Sequence, residues 1–232
     1  MLLRNFPLGG WKGSRAARCP AQRGWAATLS VIVLFFITAC APTPTPRATI
    51  HLTLTGADSM QPLARGLAAA FMKQRPDVSI AIQPANSQVG LRAPLDAPAT
   101  IGMVARALTP AEASQLRVAT LARDGIAVIV HRDNPINAIQ SVQVAQVFAG
   151  EVSAWPTGAM IGKPVVILSR EDGSGTRASF EALAMTGKRV TRAALVLSSD
   201  QAIVEYVATH PTAIGYVSMN ALEPRVHPLA ID

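Results

Sequence analysis

The chain has 232 residues, half of them hydrophobic, with 21 Lys and Arg against 14 Asp and Glu and a formal net charge of +7. Five of those basic residues precede position 40, and setting that stretch aside leaves 16 basic against 14 acidic residues, with no Lys/Arg run interleaved with aromatics to suggest nucleic acid. The only cysteines are Cys19 and Cys40, so a zinc or iron–sulfur site lacks its spaced ligands, an exported domain would hold no disulfide, and neither metal nor cofactor is expected.

Residues 1–39 read as a bacterial lipoprotein signal peptide. Arg4, Lys12, Arg15, Arg18 and Arg23 precede an apolar run from Ala26 to Ala39 that is short for a membrane span, and no Arg-Arg pair marks the twin-arginine route. Ile37-Thr38-Ala39 places small residues before Cys40, which becomes the lipidated first residue of an extracytoplasmic protein anchored to the cell membrane. The alternative is a plain signal anchor or a secretory peptide cut nearby. Ala41-Pro42-Thr43-Pro44-Thr45-Pro46 then forms a tether over residues 40–47.

From residue 48 onward strands alternate with helices, which predicts an α/β protein with largely parallel sheets. Ile50, Leu52 and Leu54 alternate with polar residues as a strand. The helix that follows is expected to pack through Leu63, Leu67 and Phe71, with Asp58 or Ser59 capping its start and Arg75-Pro76-Asp77 ending it. Val78, Ile80 and Ile82 form a second strand, Ser87–Leu95 a short helix interrupted by Pro94, and Thr100–Val104 a third strand. The unbroken apolar run Gly125–Val130 reads as a strand covered on both faces.

Asp133-Asn134-Pro135 breaks the chain, giving a first lobe over 48–133 and a second over 134–212. The second holds a helix at Val142–Phe148, a buried strand at Val165–Leu168, and helices near Thr176–Met185 and Gln201–Thr209. Residues 213–232, with the strand Ala213–Val217, are expected to return toward the first lobe. Trp155, Tyr206 and Tyr216 are read as packing residues, and Met103 and Met219 as core. Arg106 fits either a site-proximal role or a surface salt bridge.

The stretch Leu168-Ser169-Arg170-Glu171-Asp172-Gly173-Ser174-Gly175-Thr176 follows a buried strand and opens a helix. It has the chemistry of an anion cradle. Glycines permit close approach, the free amides and dipole of a helix start favour negative charge, Ser174 and Thr176 add hydroxyls, and Arg170 adds a two-pronged cation. Asp172 is expected to hold the Arg170 guanidinium. The spacing is not that of a nucleotide P-loop.

With that motif, Gly56-Ala57-Asp58-Ser59-Met60, Asn86-Ser87-Gln88-Val89-Gly90, Ile101–Arg106, Asp124–Val130, Phe148-Ala149-Gly150 before Trp155, and Ala213–Val217, the chain resembles the PstS-like phosphate-binding proteins of bacterial ATP-binding-cassette (ABC) importers. The resemblance implies a two-lobed periplasmic-binding-protein-like fold with a hinge and a ligand cleft. It implies a monomer that binds phosphate and delivers it to ABC permease subunits. It also implies ligand contacts from Ser59, the Met60 amide, Ser87, Arg170, Ser174, Gly175 and Thr176. Where the family carries a proton-accepting Asp before Ile-Gly, this chain has Thr100, which leaves sulfate or another tetrahedral oxyanion open as the ligand. A non-transport anion sensor shares the same site. An exported hydrolase using Ser174 would need a base, and His131 and His210 sit in no catalytic context, so no catalytic residue is assigned.

Overall fold

The computed structural model describes residues 49–155 and 161–232. The signal peptide, Cys40 and the tether lie outside the described residues, among which no helix is long and apolar enough to cross a membrane.

The first half is a parallel sheet in the order β2-β1-β3, made of β1 (Ile50–Ala57), β2 (Val78–Ala85) and β3 (Thr100–Met103). Parallel strands need crossovers, which α1 (Gln61–Gln74) and α2 (Ser87–Asp96) supply. A 3-10 turn, Asp58–Met60, joins β1 to α1. Because the strands run the same way, with Ala57 paired to Ala85 and Gly56 to Met103, the chain leaves all three at one edge. The short helix α3 (Pro110–Ser114) follows, closed by a capping box between Thr109 and Glu112.

The second half is a five-stranded sheet ordered β7-β6-β8-β4-β9, with β4 (Ile126–His131), β6 (Val166–Arg170), β7 (Leu195–Leu197), β8 (Ala213–Ser218) and β9 (Val226–Pro228). β6 runs parallel to β7 and β8, while β4 is antiparallel to β8 and β9, so this sheet is mixed rather than largely parallel. Helices α4 (Ser141–Phe148), α5 (Gly175–Ala184) and α6 (Asp200–Thr209) accompany it. Two short strands, β5 (Ala138–Ile139) and β10 (Ala230–Ile231), pair in parallel beside it. Both apolar clusters among the described residues are built in this half, one around Phe148, Phe180 and Tyr216 and the other around Ile129, Leu168 and Ile203.

Several expectations change. The run at 125–130 is buried from Ala127 to Val130, with Gly125 and Ile126 only partly covered, and it belongs to the five-stranded sheet, so the division between sheets falls before β4 rather than at residue 133. β8 does not lead back to the first half, because Val128 and Val130 of β4 and Ile167 of β6 take up its two edges, and β9 and β10 stay in the second half. Leu63, Leu67 and Phe71 are 40–47% exposed; α1 buries Ala64 and Ala68 instead, since small residues let it lie close against the sheet. Neither Asp58 nor Ser59 caps α1. Pro94 does not interrupt α2, which continues to Asp96. Met219 is 55% exposed in a 3-10 turn, not core, whereas Met103 is buried.

Candidate functional site

The carboxyl ends of parallel strands from both sheets meet, as the topology of open α/β sheets favours for a ligand crevice. From the first half come the turn Asp58–Met60, the start of α2 at Ser87, and Ala105 just beyond β3. From the second come Arg170 at the end of β6, Ser174–Thr176 at the start of α5, Ser198–Asp200 after β7, and Asn220 after β8. Five hydrogen bonds join them. The Gln88 amide donates to the Gly173 carbonyl at 3.2 Å, Ser179 Oγ to the Ala105 carbonyl at 3.2 Å, and Asn220 Nδ2 to the Ser59 carbonyl at 2.9 Å. Arg170 Nη2 and the Asp200 amide both donate to Asp58, at 3.0 and 3.3 Å.

Gly175 makes the closest approach. A methyl group there would collide with Ser87 Oγ and lie 2.8 Å from the Ala105 carbonyl oxygen. Ser87, Ser174, Gly175, Thr176 and Ser59 are buried. Ser87 Oγ accepts from the Ala105 amide at 3.0 Å, and Ser174 Oγ accepts from the Arg177 amide at 3.2 Å as the N-cap of α5. A hydroxyl used as an acceptor keeps its own O–H to donate. Thr176 Oγ1 donates to Asp200 at 3.3 Å.

Arg170 has no exposed side-chain surface and is surrounded by acceptors. Its Nη1 donates to Asp200, its Nη2 to Asp58 and to the Ser198 carbonyl at 3.0 Å each, and its Nε to Glu171 at 3.2 Å. Burial works to lower its pKa, but the Asp200 and Asp58 carboxylates outweigh it and the net shift is upward. Burial likewise pushes the Asp200 carboxyl up, against the opposing pull of the Ser218 amide and Arg170.

Asp172 does not orient Arg170. It is exposed, and it pairs with Arg189 at 3.0 Å and Arg177 at 3.2 Å, because the turn after β6 carries it outward while Arg170 points in. Thr100 is not brought to the site either. It pairs with Thr53 at the amino end of β3, four residues before Ala57 along β1, which at about 3.3 Å per residue is more than ~10 Å from the strand ends. Its consequence for phosphate against sulfate selectivity therefore falls. Met60, the residue before α1, is partly buried at the turn. Arg106 makes the salt bridge of the two readings, bidentate to Glu112 at 2.9 and 2.8 Å.

Asp58, Asp200 and Glu171 were missed as partners of Arg170. Asp200 had a local signal, since Ser199 and Asp200 open a helix, but its pairing with Arg170 follows only from β7 lying beside β6. His131 Nδ1 accepts from the Asp133 amide, and His210 stacks on Tyr206 with ring centroids 3.8 Å apart; Ser174 has neither as a partner. Trp155 packs as expected, donating to the Thr212 carbonyl at 3.0 Å.

The site is thus a seam in a two-lobed α/β fold, where helix starts from the two halves meet in direct contact. A PBP superfamily domain matches residues 41–230. Phosphate-binding protein PstS of Bacillus subtilis is 28% identical over 190 residues, covering 80% of this chain and 63% of that protein. Phosphate-binding protein PstS 2 of Streptococcus pneumoniae is 38% identical over 104 residues, covering 45% of this chain and 36% of that protein. The chain therefore spans less than two thirds of the length of these curated relatives. Among solved structures, a substrate-binding protein assigned to a phosphate ABC transporter of Clostridium perfringens, with phosphate bound, is 30% identical at a TM-score of 0.72 over 78% of this chain and 76% of that one. An ABC-type phosphate transport receptor from Vibrio cholerae is 26% identical at a TM-score of 0.61, with the same coverage. The chain belongs to the PBP superfamily, and within it to the PstS-like solute-binding proteins.

Proposed function

We propose that this protein captures phosphate, or a close tetrahedral oxyanion, between its two lobes and passes it to the permease of an ABC importer, working outside the cytoplasm as a monomer tethered through a lipidated Cys40. The observation that carries the reading is the meeting of helix starts from opposite lobes, at Ser59-Met60, Ser87 and Ser174-Gly175-Thr176, around a fully buried Arg170. Helix starts offer unpaired amides and a favourable dipole to an anion, and a guanidinium matches two of its oxygens. The names of the relatives point to the same ligand and transport role. No enzymatic step is part of the reading.

Calorimetric titration with phosphate, sulfate, molybdate and arsenate tests it. Charge-assisted hydrogen bonds contribute about 1.5–3 kcal/mol each, so Arg170→Ala weakens the best ligand by at least about a hundredfold. Unchanged affinity in a folded variant would place the ligand elsewhere. Cys40→Ser tests the anchor by membrane fractionation: the variant is released or unprocessed, and lipid labelling like the wild type would contradict the assignment.

A further inference from the structure

Arg170 has more carboxylate around it than it can neutralise. One guanidinium faces Asp58, Glu171 and Asp200, a formal excess of two negative charges where the reading above adds another anion. Glu171 and Asp200 belong to the same lobe as Arg170. Asp58 comes from the opposite lobe, and its two oxygens are divided between two donors, Oδ1 taking Arg170 Nη2 and Oδ2 taking the Asp200 amide at the start of α6. A guanidinium and the first amide of a helix are the donors a tetrahedral oxyanion uses.

Local structure does not require this arrangement. An Asp at a helix start ordinarily accepts from its own first turn, yet Asp58 leaves the start of α1 without a side-chain cap and spends both oxygens across the cleft. Its side chain keeps 21% of its surface exposed, against 0% for Arg170 and 4% for Asp200, so it has more room to turn aside than either. We propose that Asp58 is an internal competitor for the oxyanion, a carboxylate that latches the two lobes through Arg170 and the start of α6 and that the incoming anion displaces. The proposal rests on the oxyanion reading of the cleft. It makes the affinity of this chain a difference between two anions, one carried by the protein and one supplied from solution. It also gives the lobes a closing contact of their own.

The test uses the full-length protein with Asp58→Ser and Asp58→Asn, in two measurements. In phosphate-free buffer, amide hydrogen exchange of the segment around Asp200 is faster in Asp58→Ser than in the wild type, because the amide loses its cross-lobe acceptor. In titration, both variants bind phosphate more tightly, by about tenfold or more, since a like charge beside the ligand has been removed. Equal or weaker affinity in a folded variant overturns the proposal, and weaker affinity would make Asp58 a ligand contact. If the wild type binds no oxyanion, the functional reading fails instead. The latch is then decided by exchange alone, and unchanged exchange at Asp200 overturns it.

Discussion

Phe180 and Phe71 show how differently the two lobes are built. Phe180, in the five-stranded lobe, is 1% exposed; it stacks on Tyr216 with centroids 4.0 Å apart and meets Phe148 edge-on at 4.7 Å. Phe71, in the three-stranded lobe, is 45% exposed, in line with Leu63 and Leu67. The first lobe is joined instead by backbone approach. Gly56 of β1 and Gly90 of α2 both pass so close to Met103 that a Cβ at either would overlap its carbonyl oxygen. The difference matches the division of chemistry. A buried guanidinium with three carboxylate partners offsets its desolvation only if those partners are held in place, and the rigid five-stranded lobe holds two of them, while the other lobe brings helix starts and Asp58 to the seam.

The largest loss is expected in the packed lobe. Phe180→Ala removes the ring between Tyr216 and Phe148 and costs about 3–5 kcal/mol of unfolding free energy in denaturant titration. A loss under ~1 kcal/mol would mean that the cluster does not carry that lobe. At the seam, Gly175→Ala forces Ser87 and Ala105 away from the start of α5, and phosphate binding falls by about tenfold or more, the scale of a 1.4 kcal/mol loss, with little change in stability. Normal affinity in that variant would show that the lobes need not approach so closely. In the thin lobe, Leu67→Ala removes a side chain 47% exposed and shifts stability by about 0.5 kcal/mol or less. A larger effect would show that α1 has a covering partner.

The strands and the turn that leads from β6 into α5 were legible because local signals defined them. The alternation of Ile50, Leu52 and Leu54, the apolar run at 126–130, and Arg170 followed by Gly-Ser-Gly at a helix start each follow from neighbouring residues. What lay between distant elements was not legible. Asp172 is nearer in sequence to Arg170 than Asp200 is, and proximity favoured the wrong partner, because strand pairing rather than chain distance brings Asp200 in. Leu63, Leu67 and Phe71 form a convincing apolar stripe, yet helix periodicity does not say which stripe meets a sheet, and Ala64 and Ala68 allow the closer fit. β8 suggested a return to the first lobe only while β4 was assigned there. Thr100 was placed by likeness to a motif, and the register of β3 against β1 moves it away from the strand ends.

That both lobes grip one anion is tested most directly by a double-mutant cycle on phosphate affinity, pairing Ser87→Ala from the start of α2 with Ser174→Ala from the start of α5. Groups that share a ligand are energetically coupled, and the cycle should return an interaction energy of about 0.5 kcal/mol or more, with each single variant weakened. Strict additivity within about 0.3 kcal/mol, or single variants that bind like the wild type, would contradict a site shared across the cleft.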